Sequence, residues 1–368
     1  MDAPKHALVL EQLWLSDWRS HASFEMEFSP GVTAIVGRNG SGKTNVVEAI
    51  AWLATMRSFR GAPSEALIRR DAEAAVVRAL LRSEQRELLL EAELPRRGRS
   101  RIQLNKQRLT RTADLVGTMS VTVFAPDDLE LVKGSPGARR TYLDQILGGM
   151  HPRNDATRSE VEKILKQRNA LLKGCRGRLD SDATYTLDVW DAKLADAGNR
   201  LCAARNEAIA ELAPIVQTAY RDVAGDEVAV DLTYIAPWFS TGLSDALAAS
   251  RTDDIRRGVT MVGPHRDELE ISLQDMPART HASQGEQRSL SLALRLAGHE
   301  LVRRVTGVAP LLILDDVFSE LDDDRSAALV AALPTGQTLL TSAIELPPGA
   351  VSDAVLRLGE GELADVRL

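Results

Sequence analysis

The feature that most restricts the fold of this chain is a glycine-rich segment, Gly37–Thr44, with the sequence Gly-Arg-Asn-Gly-Ser-Gly-Lys-Thr. It follows a short apolar run at 33–36 and precedes apolar residues spaced like one face of a helix: Val46, Val47, Ile50 and Leu53. A strand, a glycine loop and a helix in this order begin a β–α unit of a parallel sheet. The sequence therefore predicts an α/β fold in which this loop joins the strand to the helix.

The same loop has the chemistry of a phosphate site. Its glycines let backbone N–H groups surround phosphate oxygens, and the start of the helix adds the equivalent of about half a positive charge. Lys43 is expected to reach the β- and γ-phosphates of ATP, and the Thr44 hydroxyl to take one position on Mg²⁺. An ordinary glycine turn is the alternative. The candidate nucleotide-binding residues are Gly37, Arg38, Asn39, Gly40, Ser41, Gly42, Lys43, Thr44 and Asn45.

A second apolar run, Leu311–Leu314, ends in two aspartates, Asp315 and Asp316. A fully apolar run of this length is typical of a buried parallel strand, whose C-terminal end faces the crevice where α/β sheets bind ligands. Asp315 is predicted to hold Mg²⁺ through water. Asp316 is predicted to act catalytically, with Lys43, by orienting the water that attacks the γ-phosphate. The alternative is a strand that enters an acidic loop.

Between these motifs lies a Ser-Gln-Gly-Glu-Gln segment that leads into a strongly apolar helical pattern over 289–304. The Ser283 hydroxyl and the Gly285 N–H, at a helix N-terminus, are suited to hold a γ-phosphate. By itself the segment favours a capping box, because Glu286 follows Ser283 by three residues. Its position between two nucleotide motifs favours a nucleotide contact. The candidate residues are Ser283, Gln284, Gly285, Glu286 and Gln287.

These three motifs, in this order, resemble those of the ABC-type ATPases. Within that group the chain resembles the RecF family of bacterial recombination and repair proteins, which are related to the heads of structural-maintenance-of-chromosomes proteins. The narrower resemblance lies in stretches that follow the family's order along nearly the whole chain: Asp17–Arg19, Arg57–Arg60, Gly134–Arg140, Leu143–Asp144, Leu165–Asn169, Gly263–Asp267 and Ala293–Ala297. The resemblance implies an α/β fold: an ABC-type P-loop ATPase head with a mainly helical second lobe.

The resemblance also implies that two chains share each nucleotide site. In this family the Ser283 segment lies far from the Lys43 site of its own chain, so it would cap the ATP of a partner. The expected assembly is a homodimer induced by ATP, with Asp322 at its interface; the N-cap of a following helix is the other explanation for Asp322. Hydrolysis would remove the γ-phosphate and open this clamp.

Three departures from the broader ABC pattern bear on the chemistry. Asp316 stands where most members have glutamate, which is one methylene longer. No histidine occurs after His299, so the switch histidine of transporters is missing. No glutamine is assignable to the loop that senses Mg²⁺, near Phe124–Asp127. We therefore expect slow hydrolysis.

Basic residues at three further positions have open roles. Arg60 follows the first helix, and it is expected either to approach the nucleotide phosphates or to form a surface ion pair. His265 and Arg266 are expected to have a structural role at the junction of the two lobes.

The net charge of −7 argues against a chain that coats DNA indiscriminately, so a DNA surface would be a local basic patch. The densest run of cations contains no acid and alternates like a hairpin around Gly98 and Asn105; its members are Arg96, Arg97, Arg99, Arg101, Lys106, Arg108 and Arg111. Further candidates are Arg139, Arg140, Lys163, Lys166, Arg168 and Lys173. Because no aromatic residues are interleaved, these patches favour backbone contacts to duplex DNA. A solvated charged face is the alternative.

Length and composition leave room for two domains. With 368 residues, of which 44% are hydrophobic, the chain shows no transmembrane run and no signal segment, so we expect a cytoplasmic protein that does not engage a membrane. Residues 1–115 and 300–368 are predicted to form the ATP-binding lobe, and 116–299 the helical lobe with the Ser283 segment. Cys175 and Cys202 lie far apart, so neither a disulfide nor a metal site is expected.

By resemblance, the chain binds duplex, gapped and junction DNA, hydrolyses ATP weakly, and acts with RecO and RecR in loading RecA onto single strands.

Two other classes of protein share part of this pattern of motifs. A transporter's nucleotide-binding subunit would usually carry the switch histidine and a glutamate at position 316. A non-catalytic scaffold that binds ATP as a structural ligand fits the binding motifs equally, and phosphate release separates it from an ATPase.

Overall fold

The computed structural model describes residues 8–83, 86–109, 118–175, 177–178, 180–343, 352–359 and 363–366. Its strands are β1 Val9–Trp18, β2 His21–Glu27, β3 Val32–Gly37, β4 Ala74–Arg82, β5 Glu87–Pro95, β6 Arg101–Leu104, β7 Gln107–Leu109, β8 Val121–Phe124, β9 Val230–Ile235, β10 Glu268–Leu273, β11 Met276–Pro277, β12 Leu311–Asp315, β13 Thr338–Ser342, β14 Ala354–Leu358 and β15 Leu363–Val366.

The helices range from single turns to one of 44 residues. They are α1 Lys43–Thr55, α2 Ser64–Leu67, α3 Glu130–Lys133, α4 Pro136–Met150, α5 Pro152–Gly174, α6 Ser181–Ala224, α7 Leu243–Arg257, α8 Ala278–His281, α9 Gln284–Thr306 and α10 Asp323–Ala331. The helical pattern predicted after the glycine loop is confirmed as α1, and the one predicted over 289–304 lies within α9.

The chain divides into two compact units. The first, the nucleotide unit, contains 1–129, 218–227 and 288–368; the second, the arm unit, contains 130–217 and 228–287. These limits differ from the predicted lobe limits at 115 and 300 for two reasons. Strand β8 pairs with β12 inside the nucleotide unit, and Leu292 and Leu296 of α9 belong to the core of that unit.

A six-stranded sheet carries the glycine loop in the nucleotide unit. Its order is β15-β14-β3-β13-β12-β8, and every pair is parallel except the antiparallel pair of β14 with β15. Strand β3 ends at Gly37 and α1 begins at Lys43, as the sequence predicts. The apolar run 311–314 is also a strand, as predicted, and it forms most of β12.

The apolar run of β12 is continuous because both faces of the strand are covered. Successive side chains of a strand point to opposite faces. Ile313 therefore joins the core that contains α1, whereas Leu312 and Leu314 join a second core with α9 and α10. This burial delivers Asp315 and Asp316 to the sheet edge on a rigid strand.

A second sheet of the nucleotide unit is antiparallel, with the order β2-β1-β4-β5-β6-β7. Its buried face includes Leu13 and Val77, which share one core with Ile50 of α1. Trp18 and Trp52 lie with their ring centroids 5.2 Å apart in this core. Helix α1 is thus buried between apolar side chains from both sheets, which holds the glycine loop in place.

The arm unit combines helices with a three-stranded antiparallel sheet of order β11-β10-β9. Its core contains Leu147, Ile164, Leu194, Leu201 and Leu247, which come from four helices. Within the described residues, no helix is long and apolar enough to cross a membrane.

Candidate nucleotide site

Two glycines give the loop at 37–44, the phosphate loop, a shape that other residues do not adopt easily. Gly40 and Gly42 have φ angles of 86° and 98°, in the left-handed region. A Cβ atom on Gly42 would lie 2.6 Å from His21 Nε2, and one on Gly37 would lie 2.6 Å from the carbonyl oxygen of Leu358. The loop therefore packs closely against its neighbours while its N–H groups stay at the start of α1.

Lys43 is a buried cation with few partners. Its Nζ donates hydrogen bonds to the carbonyl oxygens of Gly37 (2.6 Å) and Arg38 (3.0 Å). Burial lowers the pKa of Lys43, and the charges of Asp316 and Asp315 offset this only in part. The ammonium group thus lies across the phosphate loop, close to both predicted acids, in a position where a phosphate would stabilise its charge.

Asp315 lies at the end of β12 and is 4% exposed. Its Oδ1 accepts hydrogen bonds from Thr44 Oγ1 (3.0 Å) and Thr341 Oγ1 (2.7 Å). Burial raises the pKa of Asp315, although both hydroxyls oppose the shift. A buried carboxylate beside a hydroxyl is a pair of hard oxygen ligands, which fits Mg²⁺. The structure thus brings together the two residues that the sequence assigned to the metal.

Asp316 has a strained backbone. Its φ is 52°, in the left-handed region, which costs a non-glycine residue about 1 kcal/mol. The Asp316 N–H donates to Thr341 Oγ1 at 2.9 Å. Among the described residues, its buried Oδ1 has no hydrogen-bond partner. The carboxylate therefore lies at the strand end, oriented by its backbone.

Sequence analysis missed the role of Thr341. It pairs with Asp315 in the register of β12 and β13, so its hydroxyl contacts both acids. The sequence indicates part of this contact, because any parallel neighbour of β12 must place a residue beside Asp315. Which strand is that neighbour does not follow from the sequence.

Two family-like stretches fix α1. Arg19 forms a bidentate pair with the fully buried Glu48 of α1, with hydrogen bonds of 2.8 and 2.7 Å, and Ser58 Oγ donates to the same carboxylate at 2.6 Å. Trp18 Nε1 donates to the Asn45 carbonyl at 2.9 Å. These contacts position the helix whose first turn carries Lys43 and Thr44.

Arg60 is exposed and forms no ion pair with a described residue, so the surface ion pair considered for it is not found there. Its charge lowers the pKa of Asp315, against the larger effect of burial. Arg60 is therefore close enough to the two acids to act on a phosphate bound beside them.

The segment at 283–287, the signature loop, forms the predicted capping box. The Ser283 N–H donates to Glu286 Oε2 at 2.6 Å, and the Glu286 N–H donates to Ser283 Oγ at 3.3 Å. Ser283 and Gln284 are exposed, whereas Gln287 is buried and donates to the Ala278 carbonyl. The cap uses Ser283 Oγ as an acceptor from the Glu286 N–H, and hydrogen bonds from the Ser283 side chain and backbone lower the pKa of Glu286.

Asp322 is the N-cap of α10, which was one of its two predicted roles. It accepts a hydrogen bond from the Arg325 N–H at 2.8 Å. The cap leaves Asp322 exposed, so a role at a dimer interface stays a prediction.

Comparisons with known proteins agree with the motifs. The family model for the RecF/RecN/SMC N terminal domain matches residues 9–342. The chain is 42% identical over 372 residues to the DNA replication and repair protein RecF of Streptomyces avermitilis, which covers 96% of this chain and 99% of that protein. The chain belongs to the RecF family.

Solved structures support the RecF-family assignment. The structure of the recombination mediator protein RecF-ATP in the RecFOR pathway superposes with a TM-score of 0.89 at 27% identity and covers 100% of both chains. A Pyrococcus furiosus Smc head domain bound to the C-terminal domain of ScpA gives a TM-score of 0.58 at 18% identity, covering 98% of this chain and 96% of that chain. The second match shows the ABC-type head fold alone.

The RecF-like stretches of the arm unit form a buried polar network. Asp267 accepts hydrogen bonds from Tyr234 Oη and Trp238 Nε1, both at 2.7 Å, while Arg140 donates to its backbone carbonyl at 2.6 Å. His265 Nε2 lies 3.1 Å from the Thr260 carbonyl. Burial lowers the pKa of His265 to about 4, so the imidazole is neutral.

Two predicted DNA contacts are wrong on structural grounds. Arg139 is 5% exposed; it pairs with both carboxylate oxygens of Glu268 at 2.8 Å and donates to the Gly134 carbonyl. Arg168 is 0% exposed and pairs with Asp191 and Asp254. Both guanidinium groups therefore serve packing of the arm unit. The other α5 candidates, Lys163, Lys166 and Lys173, are exposed.

The basic run from 96 onward does form a hairpin. Strands β6 and β7 pair around Asn105 and Lys106, which both have positive φ. Arg96 donates to backbone carbonyls of Ala72 and Arg69, and Arg101 pairs with Glu93. The remaining cations are exposed and form no ion pair with a described residue: Arg97, Arg99, Lys106 and Arg108. Arg111 lies outside the described residues.

Proposed function

We propose that this chain is an ATP-dependent DNA-binding clamp that closes as a homodimer on ATP and Mg²⁺ and hydrolyses ATP slowly. One observation carries the proposal: Lys43, Thr44, Asp315 and Asp316, distant in sequence, converge beside one phosphate loop. The arrangement is that of a phosphoryl-transfer site, where positioning and charge stabilisation do most of the work.

Each residue of the site has a role in this proposal. Lys43 exchanges its loop carbonyls for the β- and γ-phosphates, which stabilises its charge. Thr44 and Asp315 would hold Mg²⁺, and the ion would supply positive charge that stabilises the phosphate oxygens. Asp316 orients the attacking water, and because its side chain is shorter than the glutamate of most ABC-type members, we expect slow turnover.

The exposed signature loop supports dimerisation through ATP. The Ser283 hydroxyl is exposed, and the Gly285 N–H lies in the first turn of α9. Both can donate to the γ-phosphate bound by a second chain. ATP then stabilises the dimer by mass action, because it binds the dimer more tightly than the monomer.

The proposed biological role follows from the relatives. The Streptomyces avermitilis protein is named for DNA replication and repair, and the RecF-ATP structure is described as part of the RecFOR pathway. We propose that this chain acts in the cytoplasm in recombinational repair, with RecO and RecR, and promotes RecA loading at gapped, duplex and junction DNA. The exposed cations of the β6–β7 hairpin, with Arg140, are the proposed DNA contacts.

Phosphate release with and without duplex DNA tests the ATPase assignment. We expect slow turnover that DNA stimulates, and we expect Asp316→Asn to reduce it by at least about 100-fold while ATP binding persists. Release at the rate of buffer alone would leave a non-catalytic ATP scaffold as the function.

Sedimentation with a non-hydrolysable ATP analogue tests the shared site. We expect a dimer with the analogue and a monomer without it, and Ser283→Arg should abolish the dimer. Thr280→Arg adds the same charge to an exposed neighbour outside the signature loop and should dimerise normally. Dimerisation of Ser283→Arg at the wild-type analogue concentration contradicts the model.

A further inference from the structure

A small cavity lies beside the catalytic acid in the nucleotide unit. Its volume is about 20 Å³. Phe124, Leu292 and Leu321 contribute to its apolar wall, whereas Arg288, Ser291 and Asp316 line its polar side. The cavity therefore joins the first turns of α9 to the end of the strand that carries Asp316.

Two polar atoms at this cavity need a hydrogen-bond partner. Ser291 is 1% exposed, and neither its Oγ nor Asp316 Oδ1 has a partner among the described residues. A buried polar atom without a hydrogen bond costs about 1–3 kcal/mol, so such atoms are nearly always satisfied by protein or by ordered water. Because both residues line the same cavity, one partner inside it can bond to both atoms.

The cavity has the size and lining that a buried water requires. One water needs at least about 10–15 Å³ of such space and two to four polar partners. Ser291 Oγ, Asp316 Oδ1 and the Arg288 guanidinium supply up to three partners around about 20 Å³.

The face of α9 that carries Ser291 is anchored by an ion pair one turn further along the helix. Residues three and four apart share a helix face, so Arg288, Ser291 and Arg295 lie in one row. Arg295 pairs with Asp128 at 2.5 Å, and Asp128 accepts a hydrogen bond from the Ala125 N–H at 2.8 Å. This contact holds α9 against the loop that follows β8. Phe124, the last residue of β8, lies in the cavity wall.

We propose that one water molecule bridges Ser291 Oγ and Asp316 Oδ1, and that Ser291 is a positioning residue for the catalytic carboxylate. The inference rests on the proposed function in assigning the attacking water to Asp316. With Oδ1 held by the bridge, the other carboxylate oxygen is oriented toward that water. Helix α9 begins at Gln284 of the signature loop, about two turns before Ser291. One helix thus carries both the ATP cap and the support of Asp316.

The test compares two buried serines of α9. Ser291→Ala removes the bridge partner, and we expect kcat for ATP hydrolysis to fall about fivefold to tenfold, as for the loss of one hydrogen bond, while ATP affinity is unchanged. Ser289→Ala is the matched control. Ser289 is 0% exposed and its Oγ has no partner in the described part of the chain, but the residue does not line the cavity. It should leave both kcat and affinity unchanged.

Three results overturn the inference. They are equal kcat values for Ser291→Ala and wild type, equal losses in both alanine variants, and an atomic-resolution structure without a water within hydrogen-bond distance of both atoms. The Asp316→Asn variant distinguishes failure of the water bridge from failure of the proposed function. If Asp316→Asn turns over like wild type, the catalytic assignment itself fails. If it is inactive while Ser291→Ala is normal, only the bridge fails.

Discussion

The nucleotide site and the polar network of the arm unit both bury charged groups, but they satisfy them differently. In the arm unit, Arg205 pairs with both oxygens of Asp144 at 3.0 Å and also donates to Tyr234 Oη and the Pro264 carbonyl. In the nucleotide site, the described residues give Lys43 two loop carbonyls as hydrogen-bond acceptors and give Asp316 Oδ1 no partner.

The pKa shifts of the two cations differ in the same way. Burial acts to lower the pKa of Arg205, but Asp144 and Tyr234 more than offset it, so the pKa is raised. Burial lowers the pKa of Lys43, and its acidic neighbours do not restore it. A buried cation whose charge is met by an acidic partner supports the fold, whereas one without such an ion pair is suited to a ligand.

The largest expected effect concerns Arg205. Arg205→Leu leaves Asp144 buried without its partner, so we expect the free energy of unfolding to fall by about 3–5 kcal/mol, measured by urea denaturation. Arg200→Leu, at an exposed site on the same helix, should change it by less than about 1 kcal/mol. Equal losses in the two variants would break the comparison.

His299 tests whether a buried polar group without hydrogen-bond partners among the described residues always marks a ligand-binding site. Both ring nitrogens lack partners among the described residues, and burial lowers the pKa from 6.5 to about 4. The unfolded chain binds this proton first as pH falls, so stability is complete above about pH 6.5 and falls by roughly 3 kcal/mol down to about pH 4. We expect His299→Leu to reduce the slope of this part of the stability profile, while His265, whose pKa burial also lowers to about 4, keeps its own contribution.

The exposed His281 provides the control for that measurement. His281→Leu should keep the wild-type slope of unfolding free energy against pH. A His299→Leu variant with an unchanged slope would show that the imidazole is not the group that titrates in this window.

Lys43 should behave in the opposite way to Arg205. Lys43→Met removes charge-assisted hydrogen bonds to phosphate, so we expect ATP affinity to fall about 10–100-fold, measured by calorimetry. The free energy of unfolding should change by less than about 1 kcal/mol, because the ammonium forms no ion pair with any residue that the structure describes and donates only to loop carbonyls there. A loss of stability like that of Arg205→Leu would contradict the assignment of Lys43 to the ligand.

The smallest effect is expected at the basic hairpin. Lys106→Ala with Arg108→Ala should reduce the salt slope of duplex binding by up to about 1.8, since each lost phosphate contact removes about 0.9. Arg256→Ala with Arg257→Ala removes the same charge from exposed positions on α7. If the α7 variant loses as much slope, the effect is one of net charge and not of contact.

Local patterns were sufficient for much of the site. The phosphate loop, β12 with its two aspartates and the capping box at Ser283 depend on neighbours within a few residues, so sequence predicted them. The pairing of Arg139 depends on Glu268, which is 129 residues away, and that of Arg205 on Asp144, which is 61 residues away. A run of cations looks alike whether its acids are distant or absent, so the sequence alone predicts DNA contacts at Arg139 and Arg168 that the structure contradicts.

The sequence by itself determined the nucleotide chemistry, because phosphate binding follows from glycine conformations and the start of one helix. It also determined the family, through stretches distributed along the chain. Only the tertiary structure decided which charges are exposed and which oxygens meet: Thr341 beside Asp315, and Ser291 across a small cavity from Asp316. Sheet order and helix packing set these distances, and both depend on contacts between residues far apart in the chain.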